Sequence, residues 1–225
     1  MDQINLEAID TDGAVREAAQ EVAGETRMSF LRKGALGAGA ALSGGAILSA
    51  LVPTTALAAG RPPSTFGAGD IGILNFALTL EYLESSFYNE ATSHGKITDP
   101  KLVQLLRTVT EDEKAHVKYL KNALGSHAIK NPKFDFHGIP SDQSKFAATT
   151  YVLENTGVHA YLGQAPNIQS GKVLLAAASI VTVEARHAGA IGLYLGKGIA
   201  PNGPFDDGLA AARILADVKK TGFLK

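Results

Sequence analysis

The sequence predicts an all-α fold: a four-helix bundle with one long crossover between its second and third helices. Three observations carry this. Four segments repeat apolar residues at helical spacing, and none alternates as a strand would. The first and last connections are short and the middle one is long. Each of the four stripes also holds one inward glutamate: Glu81, Glu113, Glu154 and Glu184.

In chain order, residues 1–58 read as a leader rather than as part of the bundle. Arg27, Arg32 and Lys33 precede the apolar run Gly34–Val52, which five glycines dilute. Pro53 and Ala56-Leu57-Ala58 follow it. A basic stretch, an apolar stretch and a small-residue end are the parts of an export signal. Thr26-Arg27-Met28-Ser29-Phe30-Leu31-Arg32 resembles a twin-arginine signal with Met28 in place of the second arginine, so the general secretory route stays open. Cleavage after Ala58 would start the mature chain at Ala59. Uncleaved, the run is long enough to span a bilayer, at about 20 residues. The expectation is an exported protein of the periplasm, cell envelope or exterior, touching membrane only through this segment.

Residues 59–69, rich in Pro, Gly and Ser, read as a linker. The bundle is expected over 70–198. Its first helix is expected to be N-capped by Asp70 and to carry Leu74, Ala77, Glu81 and Tyr88 inward. Asp99-Pro100 opens the second, a cap followed by proline where its missing N–H costs nothing. Leu102, Leu106, Val109, Glu113, His116, Leu120 and Leu124 face inward, and Gly125 is a natural stop. Ser126 to Pro140 is a connection. Ser141 is expected to cap the third helix, with Phe146, Thr150, Glu154, Val158 and Tyr161 inward. The fourth runs from about Ser170 to Gly196, with Val173, Ala177, Ile180, Glu184, His187, Ile191 and Tyr194 inward. The tail, 199–225, holds a short amphipathic helix from Asp206 to about Lys219.

A 24-residue helix is about 36 Å long. Fifteen extended residues reach about 50 Å. The middle connection can therefore run the length of the bundle, while the short ones make antiparallel hairpins.

Composition narrows the chemistry. A formal net charge of −1 argues against nucleic-acid binding. With no cysteine there is no disulfide, no thiolate metal site and no thiol nucleophile. Any metal must be held by histidine and carboxylates.

Glu113-Lys-Ala-His116 and Glu184-Ala-Arg-His187 are both E-x-x-H, and residues i and i+3 share a helix face. The midpoints between Glu81 and Glu113, and between Glu154 and Glu184, fall in or beside the hairpin turns, so all four carboxylates should lie at one height. Four buried like charges repel and lose solvation. Either protons or cations must compensate, and two divalent ions would match four carboxylates. Oxygen ligands with imidazole suit iron or manganese. One glutamate from each of two helices plus E-x-x-H from the other two is the carboxylate di-metal pattern. The expected metal residues are Glu81, Glu113, His116, Glu154, Glu184 and His187.

His94, His127 and His137 fall in loops or ends and are expected at the surface. His159 lies off the face of Glu154. Glu84, at i+3 from Glu81, could reach the edge of the site, but a surface role is the expectation. Tyr88, Tyr161 and Tyr194 are inward by phase, for packing or for hydrogen bonding near the site.

Leu80-Glu81-Tyr82-Leu83-Glu84 with Phe87-Tyr88, Glu113-x-x-His116, Leu153-Glu154 with Ala160-Tyr161, and Glu184-Ala-Arg-His187-Ala together resemble the ferritin-like proteins of the desiccation-related group. The resemblance spans about 70–198 and implies a ferritin-like bundle, often exported, with a dinuclear metal cage. It does not fix one reaction. One expectation is redox chemistry on peroxide or oxygen, ferroxidase-like or catalase-like, in stress protection. The alternatives are a non-catalytic metal-binding module and a structural module whose tail docks on a partner or a second copy in a homo-oligomer.

Overall fold

The computed structural model describes residues 60–200 and 203–225. The leader, its export features and the Ala58 cleavage point lie outside the described residues. Five α-helices follow one another: α1 (Gly69–His94), α2 (Pro100–Leu124), α3 (Gln143–Gln164), α4 (Gly171–Tyr194) and α5 (Ala211–Thr221). Among the described residues no strand forms, only a single antiparallel bridge between Phe134 and Leu224.

Side-chain caps start α2 and α3, while α1 and α3 begin differently from expectation. Asp99 Oδ1 accepts from the N–H groups of Lys101 and Leu102 at 2.9 and 3.2 Å, as a cap ahead of Pro100 should. For α3 the cap is Asp142 rather than Ser141. Its Oδ1 accepts from Ser144 and Lys145 at 3.1 and 3.0 Å, and Ser141 closes a preceding 3₁₀ turn. Nor does Asp70 cap α1, which begins at Gly69 after Ala68. Its carboxylate reaches across to the α3–α4 connection and accepts from the N–H groups of Gln169 and Ser170 at 2.9 and 2.8 Å. A backbone turn with two unpaired donors is the stronger claimant on that carboxylate.

These cross-links fix the topology. Asn75, near the start of α1, donates to the His127 carbonyl and accepts from Ile129 N–H, just past the end of α2. Gln143, at the start of α3, accepts from the N–H groups of Thr98 and Asp99 in the α1–α2 turn. The chain thus leaves α2 at one end of the bundle and enters α3 at the other, so the connection crosses its full length. α1 packs chiefly on α2, α3 on α4, and the two hairpins meet along α1–α3 and α2–α4.

The crossover adds core as well as reach. Phe136 is buried and meets Phe87 edge-on at 5.3 Å, while Phe87 stacks on Phe146 at 5.6 Å. Phe223 closes over Phe136 at 5.2 Å, and Asp135 N–H donates to the Phe223 carbonyl at 2.8 Å. Lys225 N–H donates to the Lys133 carbonyl at 3.0 Å.

The last helix starts later than expected, at Ala211 instead of Asp206. The preceding residues are held out of helix by a close crossing over α3, where Leu209 N–H donates to the His159 carbonyl at 2.9 Å. A Cβ on Gly163 would lie 1.9 Å from the Leu209 carbonyl oxygen, so only glycine admits this approach. Ala211 and Ile214 then bury against Phe76, Leu80 and Ala160. The tail helix docks on its own bundle, where the sequence allowed a partner.

Candidate metal centre

All six residues singled out by spacing meet in the middle of the bundle. Glu81, Glu113, Glu154 and Glu184, one from each long helix, are at most 1% exposed. His116 and His187 follow their glutamates by one turn and point the same way. Their donor atoms fall into two overlapping groups, Glu81, Glu113, His116 and Glu184, and Glu113, Glu154, Glu184 and His187. Within each group the atoms lie no more than 4.8 Å from one another, and each group could hold a metal ion. Glu113 and Glu184 are common to both.

The hydrogen-bond inventory does not close. His116 Nδ1 lies 3.2 Å from Glu81 Oε2, 3.4 Å from Glu113 Oε2 and 3.2 Å from Glu184 Oε1. One nitrogen carries at most one hydrogen, so it cannot serve three oxygens. His187 Nδ1 similarly faces Glu154 Oε2 at 3.1 Å and Glu113 Oε1 at 3.4 Å. Glu81 Oε2, Glu113 Oε1 and both oxygens of Glu184 are buried without a hydrogen-bond partner. An unmatched buried polar group costs about 1–3 kcal/mol, and more when charged. Such atoms converging on two imidazole nitrogens are the donor set that a cation satisfies, so these residues fit metal binding.

Protons partly compensate in the metal-free protein. Burial and the Glu81 charge push the Glu113 carboxyl up to about 8, against the pull of His116 and His187. Burial, then Glu113 and Glu81, hold Glu184 well above the usual carboxylate range. Burial would raise Glu81 too, yet the neighbouring His116, with Glu113 and the Tyr161 hydrogen bond, brings it below its ordinary value. Burial disfavours the charged imidazoles, but Glu113, Glu184 and Glu81 raise His116 far above normal. Glu113 and Glu154 raise His187 to about 11.

Around the six lies a supporting layer that spacing did not resolve. Tyr161 donates to Glu81 Oε1 at 2.5 Å, and Tyr88 donates to Glu154 Oε1. Both tyrosines thus take the hydrogen-bonding role and are buried. Asp112 Oδ2 lies 3.0 Å from His187 Nε2. When Nε2 carries the hydrogen, Nδ1 is left to face the carboxylates. Glu84 corrects the expectation of a surface role, since it is 2% exposed and surrounded by the charges of Glu184, Glu113, Glu154 and Glu81. The signal that finds it is the i+3 offset from Glu81, the same spacing that puts His116 and His187 on the face of their glutamates.

The remaining candidates lie apart from the centre. His94, His127 and His137 are exposed as expected. His159 is turned to the tail, with Nδ1 against the Asp207 carbonyl. Tyr194, the last residue of α4, is 36% exposed although Ile191 in the same turn is fully buried. It lines a groove of about 810 Å³ between α2 and α4, with Lys101, Leu105, Arg186 and Leu193; His187 also lines this groove.

A family model described as a ferritin-like domain matches residues 69–197, a span that contains all four long helices and every residue of the centre. None of the curated proteins matches the chain.

Proposed function

Because the chain belongs to the ferritin-like domain family, we propose that its buried cluster holds two ions of iron or manganese and carries out redox chemistry on peroxide or oxygen. The observation that carries this reading is the set of unpartnered oxygens of Glu81, Glu113 and Glu184 around His116 and His187. Glu113 and Glu184 would be shared by both ions. Glu81 with His116 would hold one, and Glu154 with His187 the other. When bound, such a pair supplies electrons to, or takes them from, a small oxygen species.

The protein's own part is orientation and enclosure. Tyr161 and Tyr88 fix the two outer carboxylates by hydrogen bonds, each from the opposite hairpin. Asp112 sets the ring of His187. His187 lines the groove between α2 and α4, which would be the side from which a small substrate approaches. Because burial raises the affinity of Glu113 and Glu184 for protons, both can hold protons until cations displace them.

The test is metal analysis of the full chain purified from its natural compartment, followed by peroxide consumption by iron- or manganese-loaded protein. Two ions per chain and turnover that Glu113→Ala abolishes are expected. Equal turnover in that variant rejects the redox reading.

A second reading is a stress-protection module of the desiccation-related kind that binds metal without turnover. The enclosure favours it, since the four glutamates are at most 1% exposed and the side chain of His116 only 12%. Metal pairs inert to both peroxide and oxygen would decide for it. Export is part of either proposal and rests on the leader's composition. Fractionation of cells making the full chain should find it outside the cytoplasm.

A further inference from the structure

The centre has an approximate two-fold pattern. Glu81 and Tyr88 on α1 are matched by Glu154 and Tyr161 on α3, with the same seven-residue spacing, and Glu113/His116 on α2 by Glu184/His187 on α4. Two positions break the match. Asp112, which precedes Glu113, reaches His187, whereas its counterpart before Glu184 is Val183 and can accept no hydrogen bond from His116. Three residues after Glu81 stands the buried Glu84, while three residues after Glu154 stands Gly157.

The second break is spatially coherent. A Cβ on Gly157 would lie 2.8 Å from Glu184 Oε2 and 3.5 Å from Glu84 Oε1. Both carboxylates therefore approach the bare backbone of α3 at this residue, with Glu84 just outside the two donor groups. Any larger side chain would push Glu184 aside. Glu184 Oε2, on that side, is buried and has no hydrogen-bond partner, as is Oε1. A buried carboxylate beside an unpartnered one is held there at a cost that a shared cation removes.

We propose that Glu84 is a seventh ligand of the centre, placed beside Glu184 in the space left by Gly157, and that it makes the two cation positions unequal. This rests on the dinuclear reading above. A hard divalent cation on the Glu84 side gains one more anionic oxygen donor than its neighbour. The two positions then fill in order, not together.

The test is a calorimetric titration of metal-free full chain with manganese(II) alone, for the wild type, Glu84→Gln and Gly157→Ala, with thermal unfolding of each before and after loading. The wild type should take two ions in two distinguishable steps. Glu84→Gln should weaken one step by about tenfold or more and leave the other within about threefold. Its metal-free form should melt no lower than the wild type, because a crowded buried carboxyl has been removed, while its gain in melting temperature on loading shrinks. Gly157→Ala keeps every carboxylate yet should weaken binding through Glu184.

Two wild-type steps reproduced unchanged in Glu84→Gln overturn the proposal and leave the dinuclear reading standing. A metal-free Glu84→Gln that melts lower with binding unchanged gives Glu84 a structural role and also overturns it. A wild type that binds no manganese overturns both readings.

Discussion

Tyr161 of α3 donates its hydroxyl to Glu81 of α1 at 2.5 Å, tying the outer carboxylate of one hairpin to the other hairpin. Burial, then the charges of Glu81 and Glu184, keep this phenol well above its usual range, so it stays a donor at any physiological pH. Tyr88 makes the reciprocal bond to Glu154. The two hairpins are thus pinned at the level of the centre by a crossed pair of neutral-to-carboxylate bonds.

Tyr161→Phe removes one of these donors and leaves Glu81 more poorly satisfied. Metal-free protein should lose about 1–3 kcal/mol in urea unfolding, with little change in helix content by circular dichroism. Tyr88→Phe should do the same through Glu154.

Metal-free stability should fall as pH rises. Glu113 is raised from 4.5 to about 8 in the folded chain, so folded protein binds more protons than unfolded between those values. Its stabilising contribution is full below pH 4.5 and gone above about 8. Glu184 and Glu84 act in the same direction. His187, raised to about 11, extends the loss from 6.5 upward. Glu81 opposes this, since its lowered value contributes stability above its usual 4.5. Melting temperatures of metal-free protein across pH 4.5 to 9 should therefore decline. Saturating manganese should flatten or reverse the trend, because cation binding releases the same protons.

Asp112→Ala takes away the partner of His187 Nε2 and frees the ring to turn. Metal affinity should drop about 10–100-fold while metal-free stability changes little, since the Asp112 side chain is 42% exposed. Competition against a fluorescent chelator reads the change.

Phe223→Ala should cost about 3–5 kcal/mol, because its ring is 4% exposed and closes over Phe136. Chemical denaturation measures the loss. Limited proteolysis should show new cleavage in the crossover before the helices yield.

Much of this arrangement is written in local spacing. Asp99-Pro100 announces its helix because capping is a matter of adjacent residues, and E-x-x-H shares a face by the geometry of one turn. The equal heights of Glu81 and Glu113 follow from counting back to a short turn. What escapes is set by other segments. Asp70 has the chemistry of a cap, but the N–H groups it serves belong to residues about a hundred positions away. Glu84 shares the face of Glu81 by the same one-turn geometry, but that α3 opposes it with a glycine rather than a side chain shows only in the fold. Phe134 and Phe136 alternate as an extended segment does, yet their partner Phe223 lies beyond two further long helices.

The bond between Asp135 and Phe223 has a bearing on synthesis. Residues 223–225 are made after both hairpins, so the contact of Phe223 with Phe136 can close only once the four long helices have been synthesised.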